Sequence, residues 1–247
     1  MDRDKLKQEH HPEQIRERLE NNEPHSHLGD AVLGAVDGAV TTFAVVAGAY
    51  GAGFDKTVVV VLGFANLLAD GFSMAVSNYL GTKSERHRVE KASRTEEKHI
   101  DHVPDGEREE VRQIFAGKGF EGETLESVVN TITTDRKLWV ETMLTEELGL
   151  PLEQPKPYKC ALATFGAFLV VGLVPLLPFV LPSAFPRRMF LVSSIATGVA
   201  FFAVGVIKGW VTDRPWLRSG LETLLTGGAA ATLAFMAGYW LRRAYGV

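Results

Sequence analysis

One cysteine, Cys160, stands among 247 residues. An internal disulfide is therefore excluded and the fold does not depend on an oxidising compartment. A lone Cys at the start of a helix reads as packing. Charge of one sign is not in excess either. The 26 Lys and Arg nearly cancel the 30 Asp and Glu, leaving a net charge of -4, so nothing suggests nucleic acid as a partner. No short apolar core with a small-residue cleavage site precedes residue 28, so no cleavable leader is expected and the first apolar segment should stay as an anchor. No histidine lies inside an apolar run. His10, His11, His25 and His27 cluster in the first 27 residues, where an exposed, disordered tail is expected.

The averages conceal the organisation. A mean hydropathy of +0.03 with 46% hydrophobic residues would suit a soluble protein, but the apolar residues are concentrated in blocks. Residues 1–27 are charged, 28–82 apolar, 83–156 highly charged and 157–247 apolar again. A spanning helix needs about 20 mostly apolar residues, and five windows qualify: Leu28–Gly51, Thr57–Leu80, Tyr158–Leu181, Met189–Val211 and Ser219–Leu241. The expected fold class is all-α, a polytopic membrane protein with five transmembrane helices and an inserted three-helix cytosolic domain. Only Ala52 to Lys56 separates the first two spans, which predicts a tight helical hairpin. Pro175, Pro178 and Pro182 predict an irregular close to the third span. Recurrent small residues, Gly34, Gly38 and Gly48 in the first span and Gly227, Gly228 and Gly238 in the last, predict close helix packing in lipid.

Lys and Arg near the spans set the orientation. With the N-terminus and the insert in the cytosol, Lys83, Arg86, Arg88, Lys156, Lys159, Lys208, Arg214 and Arg218 fall inside, and Arg187, Arg188, Arg242 and Arg243 are stranded outside. The insert reads as three helices. Lys83 to Asp101 continues the second span without a breaker. A second helix runs to Phe115 with Asp105 as its N-cap, and Thr124 to Leu148 forms the third.

Polar groups inside the spans carry the chemistry, because an ionised side chain at mid-bilayer costs at least about 2.5–3.5 kcal/mol. Asp30 and Asp37 lie two turns apart on one face of the first span. Asn66, Asp70 and Met74 form a stripe on the second. Facing each other, these stripes would offer carboxylate oxygens, an amide oxygen and a thioether. That mixture suits a borderline divalent ion such as Fe²⁺ better than Mg²⁺ or Ca²⁺. Asp30 also has a plain reading as a helix cap near the interface. In the insert, Glu96 and His99, and Glu107 and Glu110, are spaced three apart, and the third helix presents Glu141, Met143, Glu146 and Glu147. Such i, i+3 pairs assemble carboxylate metal sites in bundles, but spacing alone equally fits a solvated charged face.

Several ordered motifs resemble the vacuolar iron transporter family: Asp37-Gly38, the stretch from Ala65 to Met74 followed by Tyr79-Leu80, Lys83-Ser84-Glu85, Val103-Pro104-Asp105, Glu146 to Leu150, and Gly172 to Leu176. The resemblance runs from Leu28 to Trp240. It implies a homodimeric five-helix transporter that exchanges cytosolic Fe²⁺, often also Mn²⁺, for protons. It places the membrane metal site on Asp37 and Met74, and the cytosolic metal-binding residues on Glu96, Glu107, Glu110, Glu141, Met143 and Glu147. Two positions depart from the family pattern. His99 stands where Glu is usual, and Asn66 stands where plant and yeast members carry Glu. Asp70, one turn on, occupies a position that the family fills with a small residue.

The expectation is thus a multi-pass exporter of Fe²⁺ and Mn²⁺ in the cytoplasmic (inner) membrane, with Zn²⁺ or Co²⁺ as surrogate ligands. Its partners are a second copy, protons and the lipid bilayer. Two rivals predict otherwise. A membrane-bound di-iron ferroxidase would consume oxygen, and an iron sensor would leave Asp37 and Asp70 without a role.

Overall fold

In a computed structural model, residues 10–20, 26–181 and 188–246 are described. Among them the secondary structure is helical, with no strand. Five helices are long and apolar enough to cross a membrane, and the chain is a multi-pass membrane protein. Helix α1 (Pro12–Glu20) is an exposed charged helix in the tail, so that segment is not wholly disordered as expected. Then come α2 (Leu28–Gly51), α3 (Lys56–His102), α4 (Pro104–Gly117), α5 (Gly122–Thr134), α6 (Arg136–Thr142), α7 (Pro157–Gly172), α8 (Leu177–Val180), α9 (Met189–Val211) and α10 (Trp216–Tyr245). His25, Pro182 and Arg187 lie outside the described residues.

The chain divides into two compact units, Met1–Ala75 with Ala161–Val247, and Val76–Cys160. The first is a bundle whose core joins Ala39, Phe43 and Val46 of α2 to Val59 of α3, Phe179 of α8, Phe201 of α9 and Ala231 of α10. Aromatic rings stitch it further, with Tyr50 stacked on Phe190 at 4.1 Å between centroids. Close approach between helices is set by glycine. A methyl group at Gly34 or Gly38 would overlap the backbone carbonyls of Thr164 or Phe168 on α7, and one at Gly238 of α10 would overlap the carbonyl of Gly48. Lipid offers no hydrophobic drive between helices, so this backbone-to-backbone packing supplies much of the attraction. Gly38→Ala is accordingly expected to lower stability in detergent by about 1–3 kcal/mol, whereas Gly228→Ala, with open space around it, should melt like the parent protein.

Pro175 and Pro178 act as the sequence predicts. After α7 the chain tightens into a 3₁₀ turn at Val174–Leu176 before the short α8. The Pro175 carbonyl accepts a hydrogen bond from the Ser193 hydroxyl of α9 at 2.7 Å, which satisfies an acceptor in a region without water.

Helix α3 has no breaker over 47 residues and is about 70 Å long at 1.5 Å per residue. In the second unit its distal part packs with α4, α5 and α6 around Val89, Ile100, Val111, Val129, Trp139 and Met143. Two local expectations are corrected. Pro104 opens α4 and Val103 takes the cap position without a side-chain bond, so Asp105 is not the N-cap. The single helix expected from Thr124 to Leu148 is broken at Asp135, whose extended backbone ends α5 while its carboxylate accepts from the amides of Lys137 and Leu138 to start α6. The continuation of α6, Met143–Glu147, is a π turn closed by Leu148 N–H donating to the Met143 carbonyl.

Candidate metal sites

In the bundle, α2 and α3 carry the polar residues of the spans. Asn66 Nδ2 donates to the Thr41 hydroxyl at 3.5 Å, and that hydroxyl donates to the Asp37 backbone carbonyl at 2.9 Å. Thr41 thus ties the α3 stripe to the Asp37 turn. The sequence reading missed it, although its i+4 spacing from Asp37 places it on the same face. The carboxylates of Asp37 and Asp70 are close enough to repel one another. Asn66 and Met74 are half-buried, whereas Asp70 is exposed on the single chain. Asp30 lies apart in the first turn of α2, where His27 Nδ1 sits 3.4 Å from its carboxylate. Its backbone carbonyl accepts from Thr164.

The second unit gathers a carboxylate and imidazole cluster from three elements. Glu96 and His99 come from α3 and Glu107 from α4, with ligand atoms all within 4.8 Å of one another. His99 Nδ1 lies 3.2 Å from Glu107 Oε1. Glu110 of α4 and Glu147 from the π turn interact electrostatically with the same group. Glu96 and Glu107 are only 4% and 5% exposed, and each has a buried carboxylate oxygen without a hydrogen-bond partner. Buried charge without a partner is costly, so these oxygens are suited to a cation. Met143 is fully buried in the apolar core of the same unit. Glu141 does not join the cluster: it pairs with Lys137 at 3.7 Å and lines a separate groove with Arg86, Arg94 and Arg136. Glu146 pairs with Lys118.

The electrostatics follow from this crowding. Burial, then repulsion from Glu110 and Glu96, pushes the Glu107 carboxyl up to about 7, with Glu147 adding to the rise and His99 opposing it. Burial also raises Glu96, where His99 opposes and Glu110 adds, and it raises Glu147, where Glu96 and Glu110 add. Because Glu107 takes up a proton more readily folded than unfolded, its contribution to stability is complete below its ordinary value of 4.5 and is lost as pH rises through about 7. Metal-stripped full-length protein should therefore lose stability between those limits, by at most about 1.4 kcal/mol per pH unit for this one group. Added divalent metal should restore most at the upper end. Circular-dichroism melts at several pH values with and without Co²⁺ test this, and a metal-stripped protein that stabilises as pH rises through the window would contradict it.

The sequence profile of the VIT family matches residues 28–239. The chain belongs to the VIT family. Vacuolar iron transporter 1 of Eucalyptus grandis is 35% identical over 210 residues, covering 83% of this chain and 83% of that protein. Vacuolar iron transporter 1 of Arabidopsis thaliana is 34% identical, covering 83% and 82%. The Toxoplasma gondii vacuolar iron transporter is 32% identical over 234 residues, covering 91% and 78%. The VIT-family match takes in both units, including α3 along its whole length and the clustered carboxylates. These relatives are named as transporters, and this VIT-family chain is a transporter rather than an enzyme, which sets the ferroxidase reading aside.

Proposed function

We propose that the chain exports Fe²⁺, and Mn²⁺ by the same ligand chemistry, from the cytosol in exchange for protons. The observation that carries this reading is the polar group of Asp37, Asn66, Asp70 and Met74 on two apolar spans, joined through Thr41. Such residues are too costly in lipid to be kept without a use. Asp37 and Met74 hold the dehydrated ion, the Asn66 amide oxygen assists, and Asp70 exchanges the proton. The N-terminus and the second unit lie in the cytosol of a cell with this protein in its inner membrane. There Glu96, His99, Glu107, Glu110 and Glu147 collect the ion before transfer. Names of the relatives supply the metal, iron.

A homodimer completes the site. Asp70 is exposed on one chain, and a carboxylate left facing hydrocarbon is disfavoured by about 2.5–3.5 kcal/mol or more. A second copy laid against this face covers it. Reconstitution into proteoliposomes with an imposed pH gradient tests the proposal: metal flux should follow the gradient, with protons moving the opposite way. Flux that ignores the gradient, without proton counterflow, would sink the exchange mechanism.

A further inference from the structure

The C-terminal end of α10 meets the turn between α2 and α3 in a way that the transport site does not use. An apolar cleft of about 550 Å³ runs between these helices, walled by Val45, Phe54, Leu62, Ala237 and Leu241, and Arg242 stands at its mouth. Arg242 also lines a second, polar recess of about 470 Å³ with Tyr239 and Arg243. The two spaces are therefore joined at one guanidinium. The Arg242 guanidinium packs against Gly53, where a Cβ would meet it, and Gly53 has a φ of +75° that also favours glycine. Neither Arg242 nor Arg243 has an ion pair or side-chain hydrogen bond among the described residues. An exposed cation without an anion, set where a span ends and lining a cleft with apolar walls, complements an amphiphile with an anionic head.

We infer that this cleft binds one anionic phospholipid, its acyl chain against Val45, Leu62 and Ala237 and its phosphate on Arg242 and Arg243. The cleft volume lies within the range of about 300–1,000 Å³ in which pockets bury small ligands. Arginine matches a phosphate by bidentate hydrogen bonds, and the attraction is stronger beside hydrocarbon than in water. Exposed Tyr245 lines the cleft and exposed Tyr239 the recess, and amphipathic rings of this kind settle at the bilayer interface. The same binding explains why two arginines are tolerated at an end of the bundle that the distribution of Lys and Arg assigns to the outside.

The test uses full-length protein in detergent with added dioleoyl phosphatidylglycerol or dioleoyl phosphatidylcholine, read by thermal melting and by native mass spectrometry. Phosphatidylglycerol should raise the midpoint by about 5 °C more than phosphatidylcholine does, as binding to the folded state alone requires, with one lipid retained per chain. Arg242→Gln with Arg243→Gln should erase the difference. Ala237→Trp should also erase it, because the ring fills the cleft while both charges remain. Arg214→Gln with Arg218→Gln, at the other end of α10, should keep it. Free glycerol phosphate should give no shift, since the acyl chain supplies the cleft contacts. Equal gains from both lipids, gains that survive either cleft variant or vanish in the control pair, or a gain from glycerol phosphate alone would each overturn the inference.

Discussion

Replacing Asp37 or Met74 with alanine is expected to lower the initial rate of Fe²⁺ flux into proteoliposomes at least about tenfold, with the protein still folded. Loss of a partner one shell beyond a metal typically weakens binding about 10–100-fold, so that figure is the lower bound for losing a proposed direct ligand. Folding should survive because neither side chain belongs to the buried core of the bundle. That core is built from Phe43, Val46, Phe179 and Phe201, and Asp37 and Met74 are only half-buried. The thioether and the carboxylate contribute differently. Met74→Ala should discriminate among metals, costing more for Fe²⁺ than for a harder ion such as Mn²⁺, because sulfur favours the softer cation. Parallel flux assays with both ions and a melting curve for each variant check this. Wild-type flux in both variants would remove the membrane site from consideration.

Asp70→Asn is expected to flatten the pH dependence of flux, while Asn66→Ala lowers flux but leaves the profile in place. An amide cannot take up a proton in the working range, so the titrating group on α3 must be a carboxylate. Asp70 lies one turn from both Asn66 and Met74, about 6 Å of rise along the same helix, and it interacts with Asp37. A proton on one of these carboxylates relieves repulsion within the pair, and a divalent ion does the same. On the proposed mechanism, proton and metal are then alternatives for one site, as exchange requires. Asn66→Glu combined with Asp70→Gly should restore part of the pH dependence by placing a carboxylate one turn back on the same face of α3. An unchanged profile in Asp70→Asn would show that another group couples the proton.

The spans were legible because about 20 apolar residues in succession have few alternatives in a chain of this composition. Leu28–Gly51 and Met189–Val211 begin and end where the sequence places them, and the prolines of the third span break it as their missing amides require. The second unit was less legible. Asp135 ends one helix and caps the next through the amides of Lys137 and Leu138, and the Thr-Thr-Asp run before Arg136 was a cap signal that hydrophobic periodicity alone hid. The π turn at Met143–Glu147 has no marker residue. It nevertheless alters which carboxylates of that segment share a face. The sequence places Glu141 and Glu147 on one uninterrupted helix. In the folded unit Glu147 meets Glu96 and Glu110, whereas Glu141 turns to Lys137. Contacts between α3 and α4, such as His99 with Glu107, depend on tertiary packing and have no signature in spacing.

The glycine contacts of α2 bear on how a transport cycle can move. Along its first half α2 rests on the backbone of α7 at Gly34 and Gly38, and along its second half Gly48 and Gly51 rest on the backbone of α10. Backbone against backbone leaves no rotamer to yield, so α2 behaves as a rail clamped at two points. The glycines of α3 differ: Gly63 meets the buried side chain of Leu176, and Gly71 meets those of Phe165 and Phe168, so the close contacts of α3 are to side chains rather than to backbone. Asp37 is thus carried by the helix whose close contacts are backbone to backbone, and Asp70 and Met74 by the helix whose close contacts are to side chains. The proposed transport cycle is accordingly expected to change the separation between Asp37 and Asp70 rather than to displace α2.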